Sequence, residues 1–330
     1  MKFCRFAYQG RIRLGAVTPD LGAVIDLQAA FRTRKGLENP IFSDMPALIE
    51  AGPAGLEKAA QTISFVMEGS APETRIALSA VALKAPLARP ARMRCFSVYD
   101  KHLLNAFRAA ATLRAGKFGA FALEKAGYVR IPKAFYLKPF YYKGNALSIS
   151  GPEDAITFPK PTRMMDYEME LAAVLGRPGL NVDPSRAMDL VWGYTVFNDL
   201  SARDILTAEV LSRTRLGPQK GKDFDTGNAI GPWIVTKDEI PDPYALSMTA
   251  RVNGTVWGRS STSGMTHPIS LQIAEASRHE TLYPTEIICT GCANDGCGFE
   301  QLRFLNAGDV VEIEIEKIGT LRNRVSEERC

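Results

Sequence analysis

Residues 165–176 read MDYEMELAAVLG, and the alternation of Asp166, Glu168 and Glu170 with Tyr167, Met169 and Leu171 marks an extended strand. Side chains change face at every residue of a strand, so the three acids share one side and the three apolar groups the other. Neighbours on one face sit about 6.6 Å apart, which lets Glu168 and Glu170 reach a common point between them. Buried together, two carboxylates repel, and one takes up a proton unless a cation lies between them. Mg²⁺ or Mn²⁺ is the natural occupant. The alternative is an acidic face turned to water, which is the commoner outcome for an isolated Glu-x-Glu.

Three neighbouring segments bear on that choice. LVWGYTVFND, residues 190–199, is a very apolar strand that ends on Asp199. The SARD that follows has capping-box spacing, with Ser201 as N-cap and Asp204 at the third helical position. Asp199 has no such structural duty, and a carboxylate there completes an all-oxygen, three-ligand set of the kind Mg²⁺ accepts. Arg203 can offer a planar fork to an anion, or serve as a surface or interfacial arginine. In QKGKDFDTGNAIGPWIVT, residues 219–236, Lys222 precedes a turn-rich stretch and then a strand; a loop lysine of this kind is ordinarily a solvated charge.

The chain has 330 residues, 46% hydrophobic and 23% charged, with a formal net charge of +4. This is the composition of a globular protein with a sizeable core. The basic residues are scattered, so no nucleic-acid footprint is present. No run approaches the length of a membrane span and no signal-peptide core precedes it, so a cytoplasmic location is the default expectation. Six cysteines occur, three of them within CTGCANDGCG at 289–298. The second half of a four-ligand zinc set is missing nearby, and the reading is reduced thiols in a Gly-rich loop.

Residues 1–88 read as a small α+β unit, and the Pro-containing ALKAPLARPARMR as a linker into a domain covering 89–330. Within that domain, 99–127 is Ala- and Leu-rich and reads as helix broken around Gly116 and Gly119; strands dominate thereafter. Asn253-Gly254 in ARVNGTVW marks a two-residue hairpin turn. The fold class is mainly β (α+β).

The order of motifs resembles the fumarylacetoacetate hydrolase family: YYKGNALSISGP, DYEMELAAVLG, GYTVFNDLSARD, GKDFDTGNAIGPWIV, RVNGTVW, ICTGC and FLNAGDVVEIEIEKIGTLRNRV. The similarity runs over roughly residues 95–325. It implies a mixed β-sandwich or roll for the C-terminal domain, and metal ligands at Glu168, Glu170 and Asp199 for Mg²⁺ or Mn²⁺, with Ca²⁺ a further fit. Asp166 then becomes a structural acid. The resemblance places a catalytic lysine at Lys222, an anion-binding arginine at Arg203, a substrate-contacting threonine at Thr290, Tyr142 or Lys143 on the pocket wall, and a catalytic histidine at His102, in the family's lid. It also implies a homodimer.

One departure stands out. Smaller members partner the histidine with a glutamate one turn on, whereas residue 105 here is Asn, which cannot strengthen an imidazole as a base. Glu300, in GCGFE, is the candidate replacement. The expected reaction is metal-dependent cleavage of a C–C bond in a 1,3-diketo acid or acylpyruvate, as in aromatic catabolism, with His102 activating water, Lys222 stabilising the oxyanion and Arg203 holding a carboxylate. The alternatives are decarboxylation of oxaloacetate, tautomerisation or isomerisation of a 2-oxo acid, and hydration. A non-catalytic homologue is a third reading, disfavoured by the retained acids.

Overall fold

The computed structural model describes residues 1–210 and 217–327; Cys330 lies outside them. A twelve-stranded sheet forms the backbone of the molecule. Its main path runs Arg75–Ala77, Ala23–Asp26, Arg11–Val17, Lys2–Tyr8, Asn228–Thr236, Val191–Asp199, Met169–Leu175, Ile287–Cys289, Met93–Ser97, Phe140–Gly144. The N-terminal strands therefore continue the sheet that carries the acids. Lys2 and Phe3 pair with Val235 and Ile234, while Ala82–Lys84 pairs with residues 5–7 of the same strand.

A five-stranded sheet, in order Thr255–Ser261, Ser247–Val252, Val310–Ile315, Gly319–Val325, Ala155–Ile156, covers one face of the large one. Asn253 and Gly254 turn its hairpin with φ of 51° and 77°, the positive pair expected of a type I′ turn. Period-2 alternation sorts the acidic strand between two cores. Met169, Leu171, Ala173 and Leu175 pack with Met248, Ala250, Ile313 and Ile315 of the second sheet. Ala172 and Val174 face the other way, toward a cluster that holds Leu27, Phe31, Met45 and Leu48 of the N-terminal helices. Glu168 and Glu170 belong to that second side, where the sheet is left open for a pocket.

The helix Asp100–Lys125 crosses the pocket mouth and breaks at Gly116, whose φ of 69° and ψ of 171° are non-helical. Only glycine takes such a backbone at little cost. The capping-box expectation for SARD does not hold. Ser201–Ala202 instead pairs with Met165–Asp166, and the Ser201 hydroxyl donates to the Asp199 carbonyl. Asp204 accepts from the Thr162 hydroxyl and the Arg163 amide, pinning the turn before the acidic strand.

Candidate active site

Glu168, Glu170 and Asp199 converge from two adjacent antiparallel strands, Glu170 opposite Phe197 and Asp199 at the strand end. One carboxylate oxygen of each lies within 4.8 Å of the other two, and all three side chains are buried. Glu168 accepts from Arg203 Nη2 at 2.5 Å and from Lys222 Nζ at 2.6 Å. Burial alone would raise it, yet the charges of Arg203 and Lys222 bring it down to about 2. Glu170 accepts the Gly291 amide at 2.9 Å. Burial first, then Asp199 and Glu168, push it well above the carboxylate range. Asp199 Oδ2 accepts from the Tyr142 hydroxyl at 2.6 Å and pairs with Lys222 at 3.0 Å, while its Oδ1 is buried without a hydrogen-bond partner among the described residues. An orphaned buried oxygen beside an under-compensated Glu170 is the arrangement a hard dication satisfies, and the donors are all oxygen. The residues therefore fit Mg²⁺ or Mn²⁺.

Lys222 is not a solvated loop charge: it is buried, and its ammonium bridges Glu168 and Asp199. Gly221 permits this, because a Cβ there would lie 2.6 Å from the Leu206 backbone in the helix Arg203–Val210. Arg203 also lines the pocket. Its Nε donates to Asp166 at 2.8 Å, its Nη2 to Glu168, and its Cζ lies 5.0 Å from the Phe299 ring centre. Asp166 is itself locked by the Gly298 and Phe299 amides at 2.8 and 3.0 Å. Arg203 in this state positions Glu168.

His102 stands at the start of the helix over the pocket, its backbone amide held by Asn294 Oδ1 at 3.0 Å. Its Nδ1 lies 2.8 Å from Glu300 Oε1. Asn105 Nδ2 donates to Glu300 Oε2 at 2.9 Å, and the Asp295 and Gly296 amides add donors to the same carboxylate. Asn105 thus fixes the acid that it does not itself supply. Burial works against the imidazolium, but Cys297 and Glu300 outweigh it and raise His102 to about 10.

Tyr142 lines the pocket, whereas Lys143 alternates to the other face of its strand, where it is exposed beside Arg94 and Glu280. Thr290 is fully buried with its hydroxyl on the Leu171 carbonyl; it sets the position of the Gly291 amide. The cavity that joins these groups measures about 340 Å³, and Leu103, Ala106, Phe107, Phe140, Leu206 and Val210 form its apolar wall. The Gly291 amide and the Cys297 thiol were not foreseen as site groups; the clustering of Gly and Cys in CTGCANDGCG was the available signal.

Residues 113–326 match the fumarylacetoacetate (FAA) hydrolase C-terminal family. The chain is 33% identical over 315 residues to oxaloacetate tautomerase fahd2, mitochondrial, of Xenopus laevis, covering 95% of this chain and 86% of that protein. It is 37% identical over 197 residues to a 2,4-didehydro-3-deoxy-L-rhamnonate hydrolase of a Sphingomonas species, 58% of this chain and 66% of the relative. Maleylpyruvate hydrolase from a Sphingobium species, solved in complex with manganese(II) and pyruvate, superposes with a TM-score of 0.70 at 25% identity over 99% of both chains. With the acid triad, the buried lysine and the paired histidine already assembled on this fold, the match settles the lineage: the chain belongs to the fumarylacetoacetate hydrolase family.

Proposed function

We propose that this protein is a divalent-metal-dependent hydrolase that cleaves a C–C bond in an acylpyruvate-type 1,3-diketo acid. The observation that carries this reading is the His102–Glu300 pair set across one pocket from Glu168, Glu170 and Asp199. The three acids would hold Mg²⁺ or Mn²⁺, which when bound supplies Lewis acidity toward a substrate carbonyl.

The chain's own groups do the rest. Glu300 accepts a hydrogen bond from His102 Nδ1 and orients the ring, so the other nitrogen is left to exchange a proton with water or substrate. Lys222 offers a buried positive charge to a developing oxyanion. Arg203 and Tyr142 hold Glu168 and Asp199 in place. The apolar wall seats an acyl tail, and the helix that carries His102 serves as a lid. The reading includes a cytoplasmic homodimer, which fractionation and sedimentation would test.

A second reading, tautomerisation of oxaloacetate, rests on the fahd2 relative and on the raised His102, which carries its proton at neutral pH and is poised to deliver it to an enolate carbon. The apolar wall favours the first, because a small dicarboxylate has no tail to cover it.

The test is turnover by metal-stripped protein before and after Mn²⁺, with products identified. Metal-dependent release of two carboxylate fragments from an acylpyruvate supports hydrolysis. Enol–keto exchange of oxaloacetate with acylpyruvates untouched would replace it by the second reading.

A further inference from the structure

The reaction leaves the cysteines of CTGCANDGCG unused. In sequence, the second half of a zinc set is missing; in the fold, the loop closes on the helix that carries His102. One donor atom from each of His102, Cys292, Cys297 and Glu300 lies within 4.8 Å of the others. His102 Nδ1 and Glu300 Oε1 are 2.8 Å apart, and Cys297 Sγ is 3.6 Å from the same oxygen. Zinc holds such ligands at about 2.0–2.3 Å in a tetrahedron, which puts the donors roughly 3.3–3.8 Å from one another. The four groups therefore need to shift by about 1 Å or less to enclose the ion.

The donor chemistry differs from that of the acid triad. Two sulfurs, an imidazole and one carboxylate suit a borderline-soft cation, whereas three carboxylates suit a hard one. The surroundings are those of a supported site. Glu300 is held by Asn105 and by the Asp295 and Gly296 amides, and the His102 backbone by Asn294. Such outer hydrogen bonds fix the orientation of ligands before an ion arrives. His102 and Cys292 both line the cavity, so an ion reaches them by the substrate's route.

We propose that His102, Cys292, Cys297 and Glu300 form a second cation site, specific for Zn²⁺ and its softer analogue Cd²⁺, distinct from the oxygen site of Glu168, Glu170 and Asp199. Each thiol ligand loses its proton to solvent as its sulfur–metal bond forms, and no electron changes hands. Zinc so bound occupies the His102–Glu300 pair and withdraws it from proton transfer.

The experiment uses reduced, metal-stripped full-length protein with Mg²⁺ in excess to fill the oxygen site, titrated with Cd²⁺. The expected result is one tight equivalent with thiolate-to-metal absorption, lost in Cys292→Ser and in Cys297→Ser. Cadmium NMR on the unmutated protein, where folding of variants is not in question, should report two sulfur ligands. Absence of the sulfur band with Mg²⁺ present overturns the proposal, as does a band that survives in both variants. Neither readout depends on turnover, so the site and the proposed reaction stand or fall separately.

Discussion

Replacing Glu300 by Gln tests the carboxylate half of the proposed proton-transfer pair. Four nitrogens surround this carboxylate, each a donor or sharing a proton with it: His102 Nδ1 at 2.8 Å and Gly296 N at 3.1 Å on Oε1, where the Cys297 thiol also approaches to 3.6 Å, and Asn105 Nδ2 at 2.9 Å and Asp295 N at 3.2 Å on Oε2. A carboxylate can accept from all four, whereas a Gln side chain has only one accepting oxygen. The best fit in Glu300→Gln keeps oxygen toward His102 and turns the new amide toward Asn105, whose own amide must flip. The shape survives and the charge does not.

A hydrogen bond to a charged group is worth about 1.5–3 kcal/mol, and two charges about 4 Å apart at an effective dielectric of 20 interact by about 4 kcal/mol. Taking 2–4 kcal/mol as the loss where His102 carries charge, kcat should fall roughly 30- to 1000-fold. The assay is steady-state turnover at saturating Mn²⁺, with Mn²⁺ binding measured in parallel. His102 should also drop from about 10 toward its ordinary 6.5, visible by NMR because the chain has only three histidines. A fall in kcat of less than about threefold, with metal binding and fold intact, would refute the argument.

Other outcomes follow from the same groups. Mn²⁺ at about a hundredfold over its Kd should stabilise the protein by about 2.7 kcal/mol, several degrees in Tm, and Glu170→Gln should erase most of that shift. Lys222→Met strips the ammonium from two buried acids and should cost about 3–5 kcal/mol in urea unfolding of the metal-free protein, with Mn²⁺ restoring part of it; an unchanged midpoint would exclude the buried bridge. For metal-free protein, the raised His102 contributes stability that is complete below its unfolded value near 6.5 and is lost as pH rises through about 10. The lowered Glu168 contributes above its unfolded value near 4.5, and that part is lost as pH falls through about 2. Thermal melts of the wild type against His102→Gln should therefore converge as pH climbs toward about 10; parallel curves would contradict this.

Local signals carried the sequence reading where local physics decides. Period-2 alternation was enough to put Glu168 and Glu170 on one face, and Asn253-Gly254 enough to place a hairpin, because both depend on a few adjacent residues. Gly116 broke its helix as its lack of a Cβ allows. SARD misled, since a two-residue strand pairing with Met165–Asp166 overrode the helix-cap preference of Ser201. The roles of Lys222 and His102 came from family resemblance and not from spacing. Glu300 could only be nominated: its contact with His102 spans 198 positions, and nothing near either residue encodes it. The continuation of the acid-bearing sheet into the N-terminal strands was illegible for the same reason, because Lys2 and Phe3 find partners at Val235 and Ile234.

That pairing has a consequence for biosynthesis. The strand Lys2–Tyr8 is synthesised about 230 residues before the strand it finally adjoins. At roughly 5–20 residues per second, translation leaves an interval of about 10–45 s. An unpaired strand edge is a template for another chain during such a wait. Ala82–Lys84 emerges far sooner and pairs with residues 5–7 on the flank that Asn228–Thr236 shares at residues 2–3. It stays in place in the finished sheet, so on the nascent chain it would already cover residues 5–7 and leave chiefly the Lys2–Cys4 end of that flank open until the later strand is made.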